Sequence, residues 1–270
     1  IILSSQNWLL QSGIQNSNPK SNNFGSVNAW YDPTIKSYSF VYSEINGYFL
    51  TLMSYLFKLT KKKIFLEKAL RSSKWLIKSA QYKNGGFKCL FLIDKKSPNF
   101  YKENLIYSFD NGVILNGLCS LYKLTKKKFL IKSAEKCANW LIHECFNKDG
   151  SIKPIFDIED NKFYSSDKEW STTSGSYHTK IAIGLLNFYS ITKRKTYKSH
   201  AEKICSYSLV FQKKNGRFIS FPGKDGTNAH PHCYSAEGLW SVGAYLKNKK
   251  FLNETMKATK WIVSNTNKKG

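Results

Sequence analysis

One plan recurs four times along this chain, and a repeat constrains architecture before composition does. The recurring segments read SEINGYFLTLMSYLFKLT (43–60), SFDNGVILNGLCSLYKLT (108–125), GSYHTKIAIGLLNFYSIT (175–192) and HPHCYSAEGLWSVGAYL (230–246). Each opens on a polar cluster and continues as an apolar run punctuated by glycine. Most close on Leu-Thr-Lys or a near variant. A second periodic run carrying an aromatic follows, and then a glycine. The aromatics Trp8, Trp75, Trp140, Tyr207 and Trp261 stand 67, 65, 67 and 54 residues apart. Gly85, Gly150 and Gly216 come after three of them. Within the runs, apolar residues such as Phe49, Met53, Leu56 and Leu59 recur at steps of three and four, which is a helical period. The pattern predicts an all-α chain, an α/α toroid of repeated helical hairpins. Inner helices are expected over 43–59, 109–124, 176–191 and 232–246. Small residues such as Gly112, Gly117, Ala182 and Gly184 let them pack closely. The outer helices carry Trp and Lys.

The chain opens on Ile1, inside what the repeat reads as an outer helix, and closes on Gly270, where a hairpin glycine is due. That register predicts a single domain, 1–270, of about four and a half hairpins. It reads as a piece of a six-hairpin ring, incomplete at the N-terminus and open to extension at the C-terminus. No apolar run reaches the ~18–20 residues of a membrane span, and no signal peptide is visible. The six cysteines form no Cys-x-x-Cys pair. They read as buried thiols of a reducing compartment, and so as a cytoplasmic protein. The net charge of +24 resembles a nucleic-acid signal. However, only Arg71, Arg194 and Arg217 among the 42 basic residues are arginine, and no nucleic-acid module is present. The runs Lys61–Lys63 and Lys126–Lys128 follow inner-helix C-termini, where lysine complements the helix dipole. The charge therefore reads as solvated surface with a field that attracts an acidic polymer. Sequence-specific nucleic acid is not expected as a partner, and nothing in the sequence fixes an oligomeric state.

The polar clusters all fall at one end of the inner helices. Inner-to-outer turns are short. The opposite connections, 14–41, 83–107, 146–174 and 212–229, are long and rich in aromatics, among them Trp30, Phe100, Tyr101 and Trp170. Long connections in compact domains tend to be functional. Together these features predict one mouth with aromatic walls over a polar floor. Asp110 and Glu44 are the expected acid–base pair. In glycoside hydrolysis two carboxyls play these roles, and their separation sets the stereochemical outcome. His178 and His232 are expected as proton carriers or substrate ligands, because three of the five histidines gather here. Tyr42, Trp30, Trp170, Tyr177, His230 and Glu237 complete the site as substrate-binding groups. The same residue types also have structural uses: acids cap helices, and lone histidines and tyrosines satisfy cores. The run His230-Pro231-His232-Cys233 with Asp110 or His178 offers zinc ligands, at a spacing unlike standard signatures. Neither a metal nor a cofactor is expected.

YSEINGY (42–48), FDNGVILNGL (109–118), YHTKIAIGLL (177–186) and HCYSAEGL (232–239) resemble α/α-toroid proteins of bacterial polysaccharide loci, which are similar to six-hairpin glycosidases. The resemblance spans nearly the whole chain. It implies carbohydrate processing, by hydrolysis or elimination on an acidic or amino-sugar glycan. N-acylglucosamine 2-epimerases share the toroid and hold catalytic histidines near its centre. That likeness implies such parts for His178 and His232, with epimerisation as the alternative reaction. A non-catalytic glycan-binding toroid is the competing class. Residues 81–87 and 212–218 resemble the QxxxGxW element of terpene cyclases and prenyltransferases, with Phe for Trp. Asp157-Ile158-Glu159-Asp160 is near their DxDD motif but departs at its third position and lies in a polar loop. The glutamine element reads better as a helix-end device, with glycine turning the chain and phenylalanine returning it to the core.

Overall fold

The computed structural model describes residues 2–34, 36–93, 103–221 and 223–266. Ile1, Phe100, Tyr101 and Gly270 lie outside the described residues. The long elements are helices: α1 (Ile2–Gln11), α2 (Ser43–Thr60), α3 (Lys63–Trp75), α4 (Ser108–Thr125), α5 (Lys128–Trp140), α6 (Thr179–Thr192), α7 (Lys195–Ser208), α8 (Ala229–Leu246) and α9 (Lys249–Ser264). Inner helices α2, α4, α6 and α8 pack in that order, and each packs against the outer helix that follows it. The architecture is the predicted α/α toroid. Glycine sets the inner spacing. A Cβ on Gly117 of α4 would stand 2.5 Å from the Gly47 carbonyl oxygen on α2, and Gly184 of α6 meets the Gly112 carbonyl in the same way. The main core lies between the two helix layers, around Leu50, Met53, Leu118, Leu185, Phe65 and Ile204.

Two boundaries differ from expectation. The third inner segment opens as a 3-10 turn, Ser176–His178, before α6 begins, and α8 starts at Ala229. Asn228 caps α8 by accepting the His230 N–H at 2.9 Å, which carries the helix three residues further back than its apolar pattern reaches.

The long connections are not structureless. They contain short antiparallel strands: β1 (Tyr31–Asp32), β2 (Ser37–Tyr38), β3 (Phe40–Tyr42), β4 (Leu90–Leu92), β5 (Leu105–Tyr107), β6 (Ile155–Asp157) and β7 (Lys162–Tyr164). β3 pairs with β4 and β5 with β6, so each strand entering an inner helix is sewn to the next unit. Runs of two or three residues carry too little period-2 signal to stand out in a helical sequence.

The glutamine element is the helix-end brace. Gln81 Nε2 donates to the Gly85 carbonyl (3.0 Å) and to the Ser133 carbonyl on α5 (3.0 Å). Gln15 and Gln212 repeat the brace onto Lys68 of α3 and Glu254 of α9. Gly85 sits at φ +102°, and a Cβ there would stand 2.5 Å from the Lys136 carbonyl oxygen. Phe87 and Phe218 return to the core. The acidic run 157–160 is a turn, in which Asp157 Oδ1 accepts the Glu159 N–H at 2.9 Å. Neither element has the setting of a cyclase site. Cys233 is exposed while the other cysteines are buried, and none is in a disulfide. Among the described residues no helix is long and apolar enough to cross a membrane.

Candidate active site

A cavity of about 330 Å³ opens where the long connections meet the inner-helix N-termini. Glu44 lines it from the first turn of α2 and Asp110 from the first turn of α4. Tyr42 and Tyr107, the last residues of β3 and β5, stand beside them. A closed circuit of rings forms one wall. Trp170 meets Tyr177 (5.0 Å between centroids), Tyr177 meets Phe109 (5.5 Å), and Phe109 meets Tyr234 (5.0 Å). Tyr234 then meets His230 (4.5 Å), and His230 returns to Trp170 (5.5 Å). Opposite, Trp30 packs edge-on against Phe40 at 4.5 Å and remains 53% exposed, so its indole is available to a ligand. The Tyr177 hydroxyl donates to the Ser171 (3.1 Å) and Thr173 (2.9 Å) carbonyls. It thereby fixes the loop that carries Trp170 and Glu169.

The carboxyls sit in poor water. Burial among the tyrosines raises Glu44 to about 7, against a hydrogen bond from Tyr48 and the nearby Lys180 ammonium. Asp110 is buried, and its proton affinity is held well above the ordinary carboxylate range. Burial is the main cause, the Glu44 charge adds to it, and a hydrogen bond from Tyr42 opposes it. Asp110 Oδ2 has no hydrogen-bond partner. Two carboxyls close enough for the charge of one to raise the proton affinity of the other titrate as a pair, and near neutrality such a pair can present one acid and one base.

Of the residues singled out in the sequence, Glu44, Asp110, Tyr42, Trp30, Trp170, Tyr177 and His230 line this cavity. His178, His232 and Glu237 do not. Counting back from the glycines at 117, 184 and 238, His178 and His232 occupy the place of Asn111, and Asn46 holds it in α2. That place faces the wall. Asn46 Oδ1 accepts the Val27 N–H at 2.9 Å, and Asn111 Oδ1 accepts the Phe87 N–H at 2.7 Å. His232 Nδ1 accepts the Phe218 N–H at 3.2 Å while Nε2 faces the Ala258 carbonyl at 3.0 Å. With both nitrogens occupied, His232 pins a hairpin and has none left for a proton, a sugar or a zinc ion. His178 is buried, with Nδ1 3.2 Å from the Gly175 carbonyl, and burial lowers its pKa to about 3. Glu237 pairs with Lys180 below the floor. Among the described residues no three His, Cys, Asp or Glu side chains gather as a metal site.

Tyr107, Phe109, Glu169 and Tyr234 line the cavity without having been singled out. Tyr107-Ser108 repeats Tyr42-Ser43, so the repeat held the signal for Tyr107. Phe109 and Tyr234 resemble core residues, and Glu169 lies in an irregular loop with no register to read.

A family model for glycosyl hydrolase family 76 matches residues 99–235, just over half of the chain. No curated protein sequence matches. Among solved structures, a Listeria innocua protein superposes with a TM-score of 0.67 at 18% identity, covering 83% of this chain and 61% of that one. A family 76 α-mannanase of Bacteroides thetaiotaomicron gives 0.70 at 16% identity, covering 95% and 68%. A cellobiose 2-epimerase of Bacillus thermoamylovorans gives 0.72 at 13% identity, covering 95% and 70%. At these identities the structural likeness speaks for the shared toroid, and the chain spans less than two thirds of the Listeria protein. The sequence match carries the assignment: this chain belongs to glycosyl hydrolase family 76.

Proposed function

We propose that this protein hydrolyses a glycosidic bond in a glycan, with Glu44 and Asp110 as the acid–base pair. The observation that carries the reading is the unpartnered Asp110 oxygen, buried beside Glu44 in one aromatic-walled cavity. Asp110, the more deeply buried, keeps its proton and serves as the acid, while Glu44 ionises near neutrality and serves as base or nucleophile. Trp30 and Trp170 stack on sugar faces, and Tyr42 and His230 meet hydroxyls. Epimerisation draws less support here, since the His178 and His232 rings are held by backbone away from the cavity.

The lining also bears on the substrate. Among the described residues it holds Glu44, Asp110 and Glu169 and neither lysine nor arginine, in a chain of net charge +24. A uronic acid would bring its carboxylate to carboxylates, with no cation among the described lining residues to receive it. An uncharged or amino sugar suits the cavity better, so the amino-sugar half of the sequence expectation is retained over the acidic half. The test is turnover of α-mannan, chitosan and galacturonan oligosaccharides by the purified protein. Cleavage of either of the first two is expected. Glu44→Gln and Asp110→Asn should each lower it about 100-fold or more, the usual share of a general acid or base. Rates within about threefold of wild type would remove both residues from the mechanism. Cleavage of galacturonan alone would overturn the substrate class.

A further inference from the structure

Directly below the cavity floor lies a charge pair that hydrolysis by two carboxyls does not by itself require. Lys180, on α6, is 10% exposed at its side chain, and its ammonium pairs with Glu237 of α8, which is 51% exposed. The same nitrogen lies 5.6 Å from the Tyr48 ring centroid and 5.1 Å from that of Tyr234. Those two hydroxyls meet at 3.4 Å. Tyr234 lines the cavity above, whereas Tyr48, Lys180 and Glu237 line a second cavity of about 130 Å³ beneath. The ammonium thus sits under a floor one tyrosine layer thick.

The pair is lopsided. A charge in water is screened far more strongly than one among side chains. Half of the Glu237 side chain is solvated and almost none of that of Lys180 is, so a positive potential remains beneath the tyrosines. We propose that Lys180, steadied by Glu237, is a positioning residue of the active site that selects the ionised form of Glu44 and thereby decides which carboxyl carries the shared proton.

The titratable groups around Glu44 are Tyr42 of β3, Tyr48 of α2, Asp110 of α4, and His230 and Tyr234 of α8. Tyr107, Tyr177 and Glu169 complete the lining above. Among these, neutral tyrosines and carboxyls cannot favour a second negative charge as an ammonium can, and Lys180 already counts among the influences lowering the Glu44 proton affinity.

The inference rests on the acid–base reading of Glu44, but its test need not. Glutamate labelled with ¹³C at the δ-carboxyl, with Glu44 assigned through Glu44→Gln, reports that group's titration in the intact protein whether or not a glycan is cleaved. Lys180→Met should move the Glu44 midpoint up by about half a pH unit or more. Glu237→Gln removes the opposite charge and should move it down by less. The pH limb of kcat/KM assigned to Glu44 should follow both shifts on whichever oligosaccharide is turned over. Opposite shifts in two folded variants are not what loss of packing produces. Midpoints that stay put, or move the same way in both variants, would overturn the proposal. Absence of turnover with opposite midpoint shifts would instead count against the hydrolase reading, leaving the electrostatic role of Lys180 standing.

Discussion

The same inner helices end in opposite chemistry at the two mouths of the ring. At their N-terminal mouth, long connections fold into paired strands and an aromatic circuit over two raised carboxyls. At the other mouth, α2, α4, α6 and α8 each stop at a lysine in the left-handed region: Lys61, Lys126, Lys193 and Lys247, at φ from 53° to 60°. There Thr60, Thr125 and Thr192 each donate to the carbonyl four residues back. Lysine at these ends meets the negative pole of the helix dipole, and a short turn leaves no chain for building walls. The repeat thus keeps one mouth economical and spends sequence length at the other.

The comparison breaks most sharply on Asp110. Asp110→Asn should lower turnover about 100-fold or more without lowering the urea midpoint, because it replaces a carboxyl that the fold keeps protonated with a neutral amide of the same shape. A large loss of stability would mean that Asp110 is a structural group. The next largest effect belongs to His232, at the same mouth but facing the wall. His232→Ala leaves the Phe218 N–H without its partner, a cost of about 1–3 kcal/mol in urea unfolding, with kcat expected within about threefold of wild type. His232→Asn, which imitates the equivalent Asn111, should recover part of that stability. Failure to recover any would undo the equivalence of the two positions.

Stability against pH sharpens the contrast further. Glu44 binds its proton more tightly in the fold than in the open chain, so the folded state gains from protonation. The contribution is complete below the ordinary glutamate value and disappears as pH rises through about 7. Asp110, also raised, acts in the same direction. Urea midpoints taken across that interval should fall with rising pH, and Glu44→Gln should flatten the slope. A slope unchanged by that substitution would remove Glu44 as its source. The smallest effect is expected at the lysine mouth. Lys126→Gly relieves a left-handed residue but loosens the unfolded chain, so stability should change by less than about 1 kcal/mol, with turnover untouched. A clear loss of turnover would mean that the second mouth takes part in function.

Much of this was readable in advance because a repeat samples one design several times. The helical period located the inner helices to within about three residues, and the gathering of polar residues at one end located the mouth. Glu44, Asp110, Tyr42 and Trp170, singled out by that position, line the cavity. His178 and His232 fall off the cavity for a geometric reason. Successive residues on a helix are turned by about 100°, so a register uncertain by one residue cannot separate the side facing the cavity from the side facing the wall. Tyr177 and His178 are neighbours in the chain, yet one lines the cavity and the other is buried behind it.

The sequence by itself determined the toroid, the pairing of inner with outer helices, and the end at which the acids lie, since hydrophobic period, glycine spacing and turn residues act locally and recur. Tertiary structure alone decided which polar side chains share a cavity, that the rings close into a circuit, and that Lys180 lies beneath Glu44. Those relations join residues from different helices, and the burial that raises a carboxyl's proton affinity exists only once the helices have packed around it.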